Sequence, residues 1–398
     1  MSLLSVEDAQ AKMLTPLRPL GWESISLVDA VGRTLANDVQ ASRPQPPFDA
    51  SAMDGWALAA GSTPGTLEIV GESAAGHGFA GTVGPGQAVR IFTGAAVPKG
   101  ADAVVIQEDA LPKAQTVAVP AARAGDNIRP MGLDFRKGDS LLRRGMRLDP
   151  WRLALAASAG RATLSVSRRP KVAILPTGEE IVPPGTEPGP FQIFNSVASV
   201  LVALVRAWGG EPLALDVVGD SIEEIAAAAR TPCDVLVTLG GASVGDHDLV
   251  KPALERHLGL TISVNGVNLR PGKPTWFGRL DDGAWVLGLP GNPASALVCA
   301  ELFLRPLLMR LQGADPEVRL VAARTLAPLA ANGAREHWMR ARLAFSADAG
   351  VDADPFPDQD SSLVTAFAEA DALLRRPPAA AAVPRGAPVE VLILERLR

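Results

Sequence analysis

The stretch Thr238-Leu-Gly-Gly-Ala-Ser-Val-Gly-Asp-His-Asp248 decides which fold the sequence predicts. It follows an apolar run, Asp234–Thr238, that has the length of a buried strand. It precedes Leu249–Leu258, in which apolar residues recur at helical spacing. The stretch is therefore predicted to be a loop at the carboxyl end of a strand, which is where open α/β sheets bind ligands.

The residue types in this loop suit a phosphate or a metal ion. Glycines let backbone N–H groups approach an anion, serine adds a hydroxyl, and aspartates are hard oxygen ligands for Mg²⁺. A tight glycine turn capped by an aspartate is the alternative interpretation. The residues concerned are Gly240, Gly241, Ser243, Gly245, Asp246 and Asp248.

Strands and helices are predicted to alternate from Pro170 to Leu311. This alternation predicts an α/β domain with a doubly wound, mainly parallel sheet. The predicted strands are Lys171–Leu175, Leu213–Val218 and Asp234–Thr238, and the predicted helices are Ser196–Trp208, Ser221–Arg230, Leu249–Leu258 and Pro293–Leu311.

Acidic residues follow three of these strands, at Glu180, Asp220 and Asp248. Because the carboxyl ends of parallel strands share one edge of a sheet, we expect the three side chains to converge there. Convergent carboxylates suit Mg²⁺ bound together with phosphate oxygens. Helix N-caps are the alternative explanation for each one taken singly.

Two later loops carry cations and rigid turns. Arg270 and Lys273 flank a Pro-Gly turn, and Gly288–Ser295 opens the long helix with Asn292 and Ser295. An oxyanion site is one interpretation of these loops, and solvated basic residues are the other.

The first 168 residues lack the strand–helix alternation. A helix is predicted to begin at Ser5, with a second short segment at Leu27–Leu35. The prolines of Ser42–Trp56 predict an extended segment up to about Ala50, with a linker that ends in a helix cap as the alternative. A β-rich module follows, and its predicted strands are Thr66–Val70, Ala88–Phe92, Ala103–Gln107 and Thr116–Val119.

Polar residues gather at two places in this half of the chain. Thr93 lies on a turn between strands, and Asn127, Arg129 and Asp134 share a charged loop that is otherwise explained as solvated surface. The remaining predicted elements are the helix Trp151–Ala159 and the strands Thr163–Val166, Arg319–Ala323, Trp338–Phe345 and Val389–Leu394, of which the last three predict a small β-barrel or sandwich.

Composition excludes several classes of protein. The 398 residues are 47% hydrophobic and carry 38 Lys and Arg against 43 Asp and Glu, which leaves no basic field for nucleic acid or an anionic membrane. Cys233 and Cys299 lack the spacing of a zinc site. With no leader sequence and no run of about 18 apolar residues, we expect a cytoplasmic protein.

With these residues assembled, the chain resembles the molybdopterin molybdenumtransferase family, which is related to the E domain of gephyrin. The resemblance covers nearly the whole chain. The motifs that carry it are Pro-Pro-Phe-Asp-Ala-Ser-Ala-Met-Asp-Gly-Trp-Ala at 46–57, Ile-Phe-Thr-Gly-Ala at 91–95, Asn-Ile-Arg at 127–129 with Asp134, Pro-Thr-Gly-Glu-Glu at 176–180, Gly-Gly-Ala-Ser-Val-Gly-Asp-His-Asp at 240–248, Arg-Pro-Gly-Lys-Pro at 270–274 and Gly-Leu-Pro-Gly-Asn-Pro-Ala-Ser at 288–295.

The resemblance implies an elongated subunit of four parts, α/β combined with β. They are a discontinuous linking and dimerisation domain (1–46 and 133–168), an inserted β-rich domain (47–132), a MogA-like molybdopterin-binding α/β domain (169–312) and a small C-terminal β-barrel (313–398).

The implied reaction is the last step of molybdenum cofactor synthesis. Molybdate is inserted into adenylylated molybdopterin, and AMP is released with Mg²⁺ as cofactor. The implied assembly is a homodimer whose active site is completed across the interface, with transient contact to the adenylyltransferase and with neither nucleic acid nor membrane as partner.

The resemblance also assigns residues by role. The implied catalytic residues are Asp54, Thr93, Arg129, Asp134, Glu180, Asp220 and Asp248, with Asp220 and Asp248 as the metal ligands. The implied ligands of molybdopterin and AMP are Gly240, Gly241, Ser243, Gly245, Pro290, Asn292 and Pro293. The implied molybdate ligands are Arg270, Lys273, Ser295, Arg340 and Ser361.

The sequence departs from the family pattern at four positions. Gly266, Leu239 and Val197 stand where lysine, serine and asparagine are common, and Arg270 replaces a usual lysine. These changes bear on affinity more than on reaction type.

Two other functions compete with this one. An adenylyltransferase needs only a domain like 170–312, and a scaffold needs none of the charged site residues. The additional modules argue against the first function, and the retained site residues argue against the second.

Overall fold

The computed structural model describes residues 3–240, 249–346 and 350–395. The first part of the chain is mostly short strands. Its elements are α1 (Val6–Leu14), β1 (Trp22–Ser26), β2 (Val39–Gln40), β3 (Ala50–Ser51), β4 (Gly55–Leu58), β5 (Gly65–Ser73), β6 (Gln87–Ile91), β7 (Ala103–Ile106), β8 (Leu111–Lys113), β9 (Thr116–Val119), β10 (Ile128–Arg129), β11 (Ser140–Leu142), α2 (Pro150–Ser158) and β12 (Thr163–Ser167).

Strands β4 to β9 form the β-rich module as one sheet in the order β7-β4-β6-β5-β9-β8. Trp56, Leu58 and Val105 are buried in its core. The helix-cap alternative for the end of the proline-rich segment is wrong, because Gly55–Leu58 is the fully buried strand β4 between β6 and β7. A Cβ on Gly55 would overlap the carbonyl oxygen of Val105, so this close strand approach requires glycine.

Helix α1 begins as predicted, since Ser5 Oγ accepts a hydrogen bond from the backbone N–H of Asp8 at 3.0 Å. It ends at Leu14, and the chain then forms β1, which pairs antiparallel with β12. The segment Leu27–Leu35 contains only one 3₁₀ turn, at Leu27–Asp29.

The second part of the chain contains the predicted α/β domain. Its elements are β13 (Lys171–Pro176), β14 (Ile181–Val182), β15 (Ile193–Phe194), α3 (Val197–Ala207), β16 (Glu211–Ala214), α4 (Ile222–Ala228), β17 (Val235–Leu239), α5 (Val250–Leu258), β18 (Thr261–Asn265), β19 (Leu269–Arg270), β20 (Trp276–Arg279), β21 (Trp285–Leu289), α6 (Pro293–Cys299) and α7 (Arg305–Leu311).

The main sheet of this domain has the order β16-β13-β17-β21-β20-β18. The first four strands are parallel, and β20 and β18 add an antiparallel edge that the sequence analysis does not predict. The strand predicted at Leu213–Val218 lies instead at Glu211–Ala214, and Val218 makes only a single parallel bridge with Thr177.

The long helix predicted over Pro293–Leu311 is interrupted by a π-helical turn at Ala300–Leu304. Pro306 has no N–H, so it cannot bond the carbonyl of Leu302. That carbonyl instead accepts a 2.7 Å hydrogen bond from the Gln10 side chain of α1. The first helix of the chain is thereby attached to the α/β domain.

The C-terminal part closes into a small barrel. Its elements are β22 (Val321–Thr325), β23 (Glu336–Ser346), β24 (Gly350–Pro355), α8 (Thr365–Glu369), β25 (Ala372–Arg376) and β26 (Pro388–Ile393). The circuit β23-β24-β22-β26-β25 returns to β23, which confirms the barrel. Across the described ranges, no helix has the length and apolarity needed to cross a membrane.

Candidate active site

A cavity of about 600 Å³ opens at the carboxyl ends of β13, β17 and β21, the edge at which parallel sheets bind ligands. The walls of this cavity contain both apolar and polar groups. The lining residues are Pro176, Thr177, Glu180, Ile181, Ile193, Phe194, Asn195, Ser196, Val197, Leu239, Gly240, Pro274, Pro290, Gly291, Asn292, Pro293, Ser295 and Ser362.

The turn after β13 forms one side of the cavity. The backbone N–H of Thr177 donates to the carbonyl of Leu239 at 2.9 Å, which fixes the start of the turn. Gly178 has φ +132°, and a Cβ on it would lie 2.5 Å from Oε2 of Glu180. The Glu180 carboxylate therefore folds over Gly178, an arrangement that glycine alone permits.

Gly240 lies at the base of the same cavity. Its φ is +91°, and a Cβ on it would lie 2.8 Å from the carbonyl oxygen of Thr177. On the other side, its Cα lies 3.5 Å from the position that a Cβ on Gly291 would occupy. Gly240 therefore contributes its backbone to the cavity, between two neighbouring turns.

The start of α6 forms the opposite side and joins the C-terminal barrel. The Asn292 amide donates to Ser361 Oγ at 2.9 Å, and the Ala294 N–H donates to the Ser361 carbonyl at 3.0 Å. Ser295 is 5% exposed and lines the cavity. The structure thus brings these expected ligands together at one cavity: Gly240, Pro290, Asn292, Pro293, Ser295 and, through Asn292, Ser361.

Arg340 lies behind the loop that carries Ser361. Its side chain is fully buried, and its guanidinium donates to the carbonyls of Gln359 at 3.2 Å and Asp360 at 2.9 Å. Burial lowers the pKa of this guanidinium. Arg340 is not among the residues lining the cavity, so in this conformation it holds the loop and does not present its charge to the cavity.

Arg270 and Lys273, although close in sequence, lie in different surroundings. Lys273 is exposed at the tip of its turn, next to Pro274, which lines the cavity. Arg270 lines a second cavity, also about 600 Å³, in the C-terminal barrel. His337 and Arg376 line this second cavity too, and burial together with the neighbouring arginines lowers the pKa of His337 to about 4. The expected molybdate ligands therefore do not share one cavity.

Asp220 lies close to the sheet edge that carries Glu180. The bridge between Thr177 and Val218 brings the two turns together, and the Gly178 N–H donates to the Val218 carbonyl at 3.0 Å. The Asp220 side chain is exposed and does not line the cavity.

Several expected site residues cannot be placed against this edge. Gly241, Ser243, Gly245 and Asp248 lie outside the described residues. Within the ranges the structure does describe, no group of three or more His, Cys, Asp or Glu could hold a metal ion. The metal pair of Asp220 and Asp248 therefore stays a prediction.

The N-terminal half carries a separate group of expected catalytic residues. Asp54 Oδ1 accepts hydrogen bonds from both the backbone N–H and the hydroxyl of Thr93, each at 2.7 Å. These bonds, together with the charge of Arg90, hold the pKa of Asp54 below its usual value. The pair is preformed, and neither residue lines the cavity of the α/β domain.

Arg129 and Asp134 belong to the same half of the chain. Both side chains are exposed. Arg129 pairs with Ala50 between β10 and β3, and the backbone N–H of Asp134 donates to the carbonyl of Gln45 at 2.9 Å. Like Asp54 and Thr93, these two residues do not line the α/β cavity.

One wall of the cavity is the short parallel ribbon of β14 and β15, which contributes Ile181, Ile193 and Phe194. These residues are not among the binding residues expected from the sequence. Phe194 is 48% exposed and Ile193 is 59% exposed. The adjacent pair Ile193-Phe194 beside a polar turn is a weak signal in one sequence, because its exposure is visible only in the fold.

Comparison with known proteins gives matches along the whole chain. Residues 4–160 match the family model described as MoeA N-terminal region (domain I and II), residues 173–310 match the probable molybdopterin binding domain, and residues 322–394 match the MoeA C-terminal region (domain IV). The molybdopterin molybdenumtransferase of Haemophilus influenzae is 37% identical over 319 residues, 78% of each chain. That of Bacillus subtilis is 34% identical over 388 residues, 94% of this chain and 90% of the relative.

The chain belongs to the molybdopterin molybdenumtransferase family. The fold agrees, because the crystal structure of the molybdopterin biosynthesis MoeA protein from Pyrococcus horikoshii superposes with a TM-score of 0.83 at 31% identity, covering 98% of this chain and 99% of that one. The chain is accordingly a transferase enzyme of molybdopterin biosynthesis. The adenylyltransferase alternative does not require the matched N-terminal and C-terminal regions.

Proposed function

We propose that this transferase inserts molybdate into adenylylated molybdopterin and releases AMP in a Mg²⁺-dependent step, in the cytoplasm. The observation that carries the proposal is the cavity at the sheet edge, where Ser295 and the bonded pair Asn292 and Ser361 meet the turn of Lys273. Hydroxyls and an ammonium group suit a tetrahedral oxyanion. The matched molybdopterin binding domain contributes most of the walls of this cavity.

The cavity residues supply binding and orientation. Gly240 lets the backbone come close to a phosphate, while Ile193 and Phe194 offer apolar surface for a flat ring. Ser295 and Lys273 face the oxyanion in this proposal. Arg340 acts from behind, since it holds the loop that presents Ser361.

The donor set for Mg²⁺ is one of hard carboxylates, which fit this ion. Asp220 is exposed at the sheet edge, where a cation can reach its carboxylate. Together with Asp248, it would hold Mg²⁺ beside the phosphates. Bound there, the ion would neutralise the negative charge that develops on the departing AMP.

The proposed assembly is a homodimer whose active sites combine residues of two chains. Asp54 and Thr93 lie outside the cavity in one chain, so a second chain is needed if they act at it. The N-terminal half also exposes large apolar side chains that a partner could cover: Trp22 is 64% exposed, Val28 79% and Trp151 84%. The adenylyltransferase is proposed as a transient partner, because it supplies the substrate.

The test is AMP release from adenylylated molybdopterin by the purified protein with Mg²⁺, measured with and without molybdate. We expect molybdate-dependent release together with active cofactor, and we expect Asp248→Ala to abolish both while the protein still folds. Binding of the nucleotide without release would support the scaffold alternative. Formation of adenylylated molybdopterin from ATP would support the adenylyltransferase alternative.

A further inference from the structure

The turn between β19 and β20 has an exposed tip and a buried base. Lys273 is exposed at the tip, whereas Pro271, Gly272 and Thr275 are buried beneath it. Backbone hydrogen bonds help to define the shape of the turn, since the Lys273 carbonyl accepts a hydrogen bond from the N–H of Val267 at 2.9 Å. The position of the Lys273 charge therefore depends on what fixes the buried base.

A buried polar contact fixes this base. Thr275 is 0% exposed, and its hydroxyl donates to the carbonyl of Gly272 at 2.8 Å. The same Oγ1 lies 3.0 Å from Sγ of Cys299. The Cys299 thiol in turn lies 3.9 Å from the Gly272 carbonyl. The backbone N–H of Thr275 also donates to this carbonyl, at 3.1 Å, so three donors surround one buried carbonyl oxygen: that N–H, the Thr275 hydroxyl and the Cys299 thiol.

Gly272 brings the turn into direct contact with α6. Its φ is +121°, and a Cβ on it would overlap Cys299 Sγ and lie 2.9 Å from Leu269 Cδ2. Cys299 is fully buried, and burial raises the pKa of its thiol to about 12. The sulfur therefore serves as a packing and hydrogen-bonding group.

Cys299 relates this contact to the cavity. It lies four residues after Ser295 on α6, so the two side chains are on one face of the helix, one turn apart. Ser295 lines the cavity, as does Pro274, the neighbour of Lys273. The contact of Cys299 with the base of the turn therefore sets the spacing between the turn and Ser295.

We propose that Thr275 and Cys299 are positioning residues that fix the 270–274 turn against α6 and thereby set the distance between Lys273 and Ser295 for an oxyanion substrate. This inference rests on the proposed function in that Lys273 and Ser295 face molybdate. Neither Thr275 nor Cys299 touches the substrate in this arrangement.

The test is the substitution Thr275→Val, which keeps the shape of the side chain and removes the hydroxyl. We expect the KM for molybdate to rise about tenfold, in keeping with the loss of one buried hydrogen bond. The kcat and the KM for adenylylated molybdopterin should stay within about twofold, and Thr275→Ser should restore the KM for molybdate.

The chain offers a matched control. Thr231 also donates its hydroxyl to a carbonyl three residues earlier, that of Ala228 at 2.9 Å, at the end of α4. Thr231→Val should leave the KM for molybdate unchanged. Cys299→Ala gives a second test through the sulfur alone, with Cys233→Ala as its control, in case Thr275→Val folds poorly.

Two results would overturn the proposal: an unchanged KM for molybdate in both Thr275→Val and Cys299→Ala, or a parallel rise in the KM values of both substrates. The proposed function is judged separately, by turnover of the wild-type protein. If the wild type binds molybdate in calorimetry without turning over, the proposed function fails. The positioning proposal then stands or falls on whether Thr275→Val weakens that binding about tenfold.

Discussion

The cavity of the α/β domain and the Asp54–Thr93 pair of the β-rich module both position polar groups on turns, but only the cavity encloses space for a ligand. In the cavity, turns at strand ends gather hydroxyl, amide and carboxylate groups around about 600 Å³ of space. In the β-rich module, two 2.7 Å hydrogen bonds hold one carboxylate ready on an exposed turn that borders no part of this cavity. Under the proposed function, binding and part of the chemistry lie in different parts of the chain, and a homodimer would bring them together.

The largest expected effect, on activity, comes from a substitution that inactivates each of the two regions in turn. Asp54→Ala and Lys273→Ala should each lower activity by roughly 100-fold or more, because each removes a charge from one half of the site. In a purified heterodimer of the two variants, a site built from two chains leaves one of two sites intact, so activity should return to about half of the wild-type value. The measurement is turnover of differently tagged, co-purified chains.

The control for this experiment is the heterodimer of wild type with the double variant Asp54→Ala and Lys273→Ala. In that heterodimer each shared site carries one defect, so it should be nearly inactive. If instead the single-variant heterodimer is inactive and this control retains about half of the activity, each active site lies within one chain.

A smaller effect is expected from displacing one carboxylate within the cavity. In Gly178→Ala the new Cβ would lie 2.5 Å from Oε2 of Glu180, so the carboxylate must move. We expect kcat/KM to fall by about tenfold or more. Gly185→Ala is the matched control, because Gly185 also has a positive φ, +93°, but a Cβ there meets nothing within 4 Å.

Both glycine variants place alanine at a positive φ, which costs about 1–3 kcal/mol, so the melting temperatures of both should fall. Equal kcat/KM values for the two variants would show that the position of Glu180 does not matter for turnover. Such a result would mean that the α/β cavity, unlike the Asp54–Thr93 pair, does not depend on a fixed carboxylate.

The last expected effect is on stability and leaves turnover aside, and it concerns two carboxyl groups whose pKa values shift in opposite directions. Hydrogen bonds from Thr93 lower the pKa of Asp54, whereas burial raises the pKa of Glu301 to about 7, with Arg305 3.8 Å away. Unfolded, Glu301 titrates near its ordinary value of 4.5. Between pH 4.5 and 7 the Glu301 carboxyl is protonated in the folded protein and ionised in the unfolded chain, so the free energy of unfolding falls as pH rises towards 7.

Glu301→Gln should therefore be more stable than wild type above pH 7, by up to about 3 kcal/mol, and the advantage should shrink as pH falls towards 4.5. Denaturant unfolding at several pH values measures this. Glu255→Gln, on the exposed side of α5, should leave the pH dependence unchanged. A pH-independent difference for Glu301→Gln would argue against a buried, neutral carboxyl in the folded protein.

Local patterns predict much of the α/β domain. The Ser5 cap, the buried strand before Gly240 and the start of α6 follow from short-range residue order. Each of these signals depends on neighbours only a few residues away. Of the three carboxylates expected to converge, Glu180 lines the cavity, Asp220 lies near it without lining it, and Asp248 is outside the described residues.

Features that depend on distant partners escape such an analysis. Strand β4 exists because β6 and β7 pair with it on both sides, although its sequence, Gly-Trp-Ala-Leu, has no strand period. Arg340 is expected to meet molybdate, yet it is buried against two carbonyls, because only the closed barrel brings residues 359 and 360 to it. The π-helical turn before α7 likewise depends on Gln10, 292 residues from its partner Leu302.

The attachment of α1 has a consequence for how the chain is made. Val6, Ala9 and Met13 belong to the core of the α/β domain, and Gln10 bonds Leu302. A ribosome that adds about 5–20 residues per second needs roughly 15 to 60 seconds to synthesise the 292 residues between the two partners. Until then the Gln10 side chain has no partner for this bond in the nascent chain. A fragment that begins at residue 169 would lack this helix altogether and leave its groove in the core uncovered.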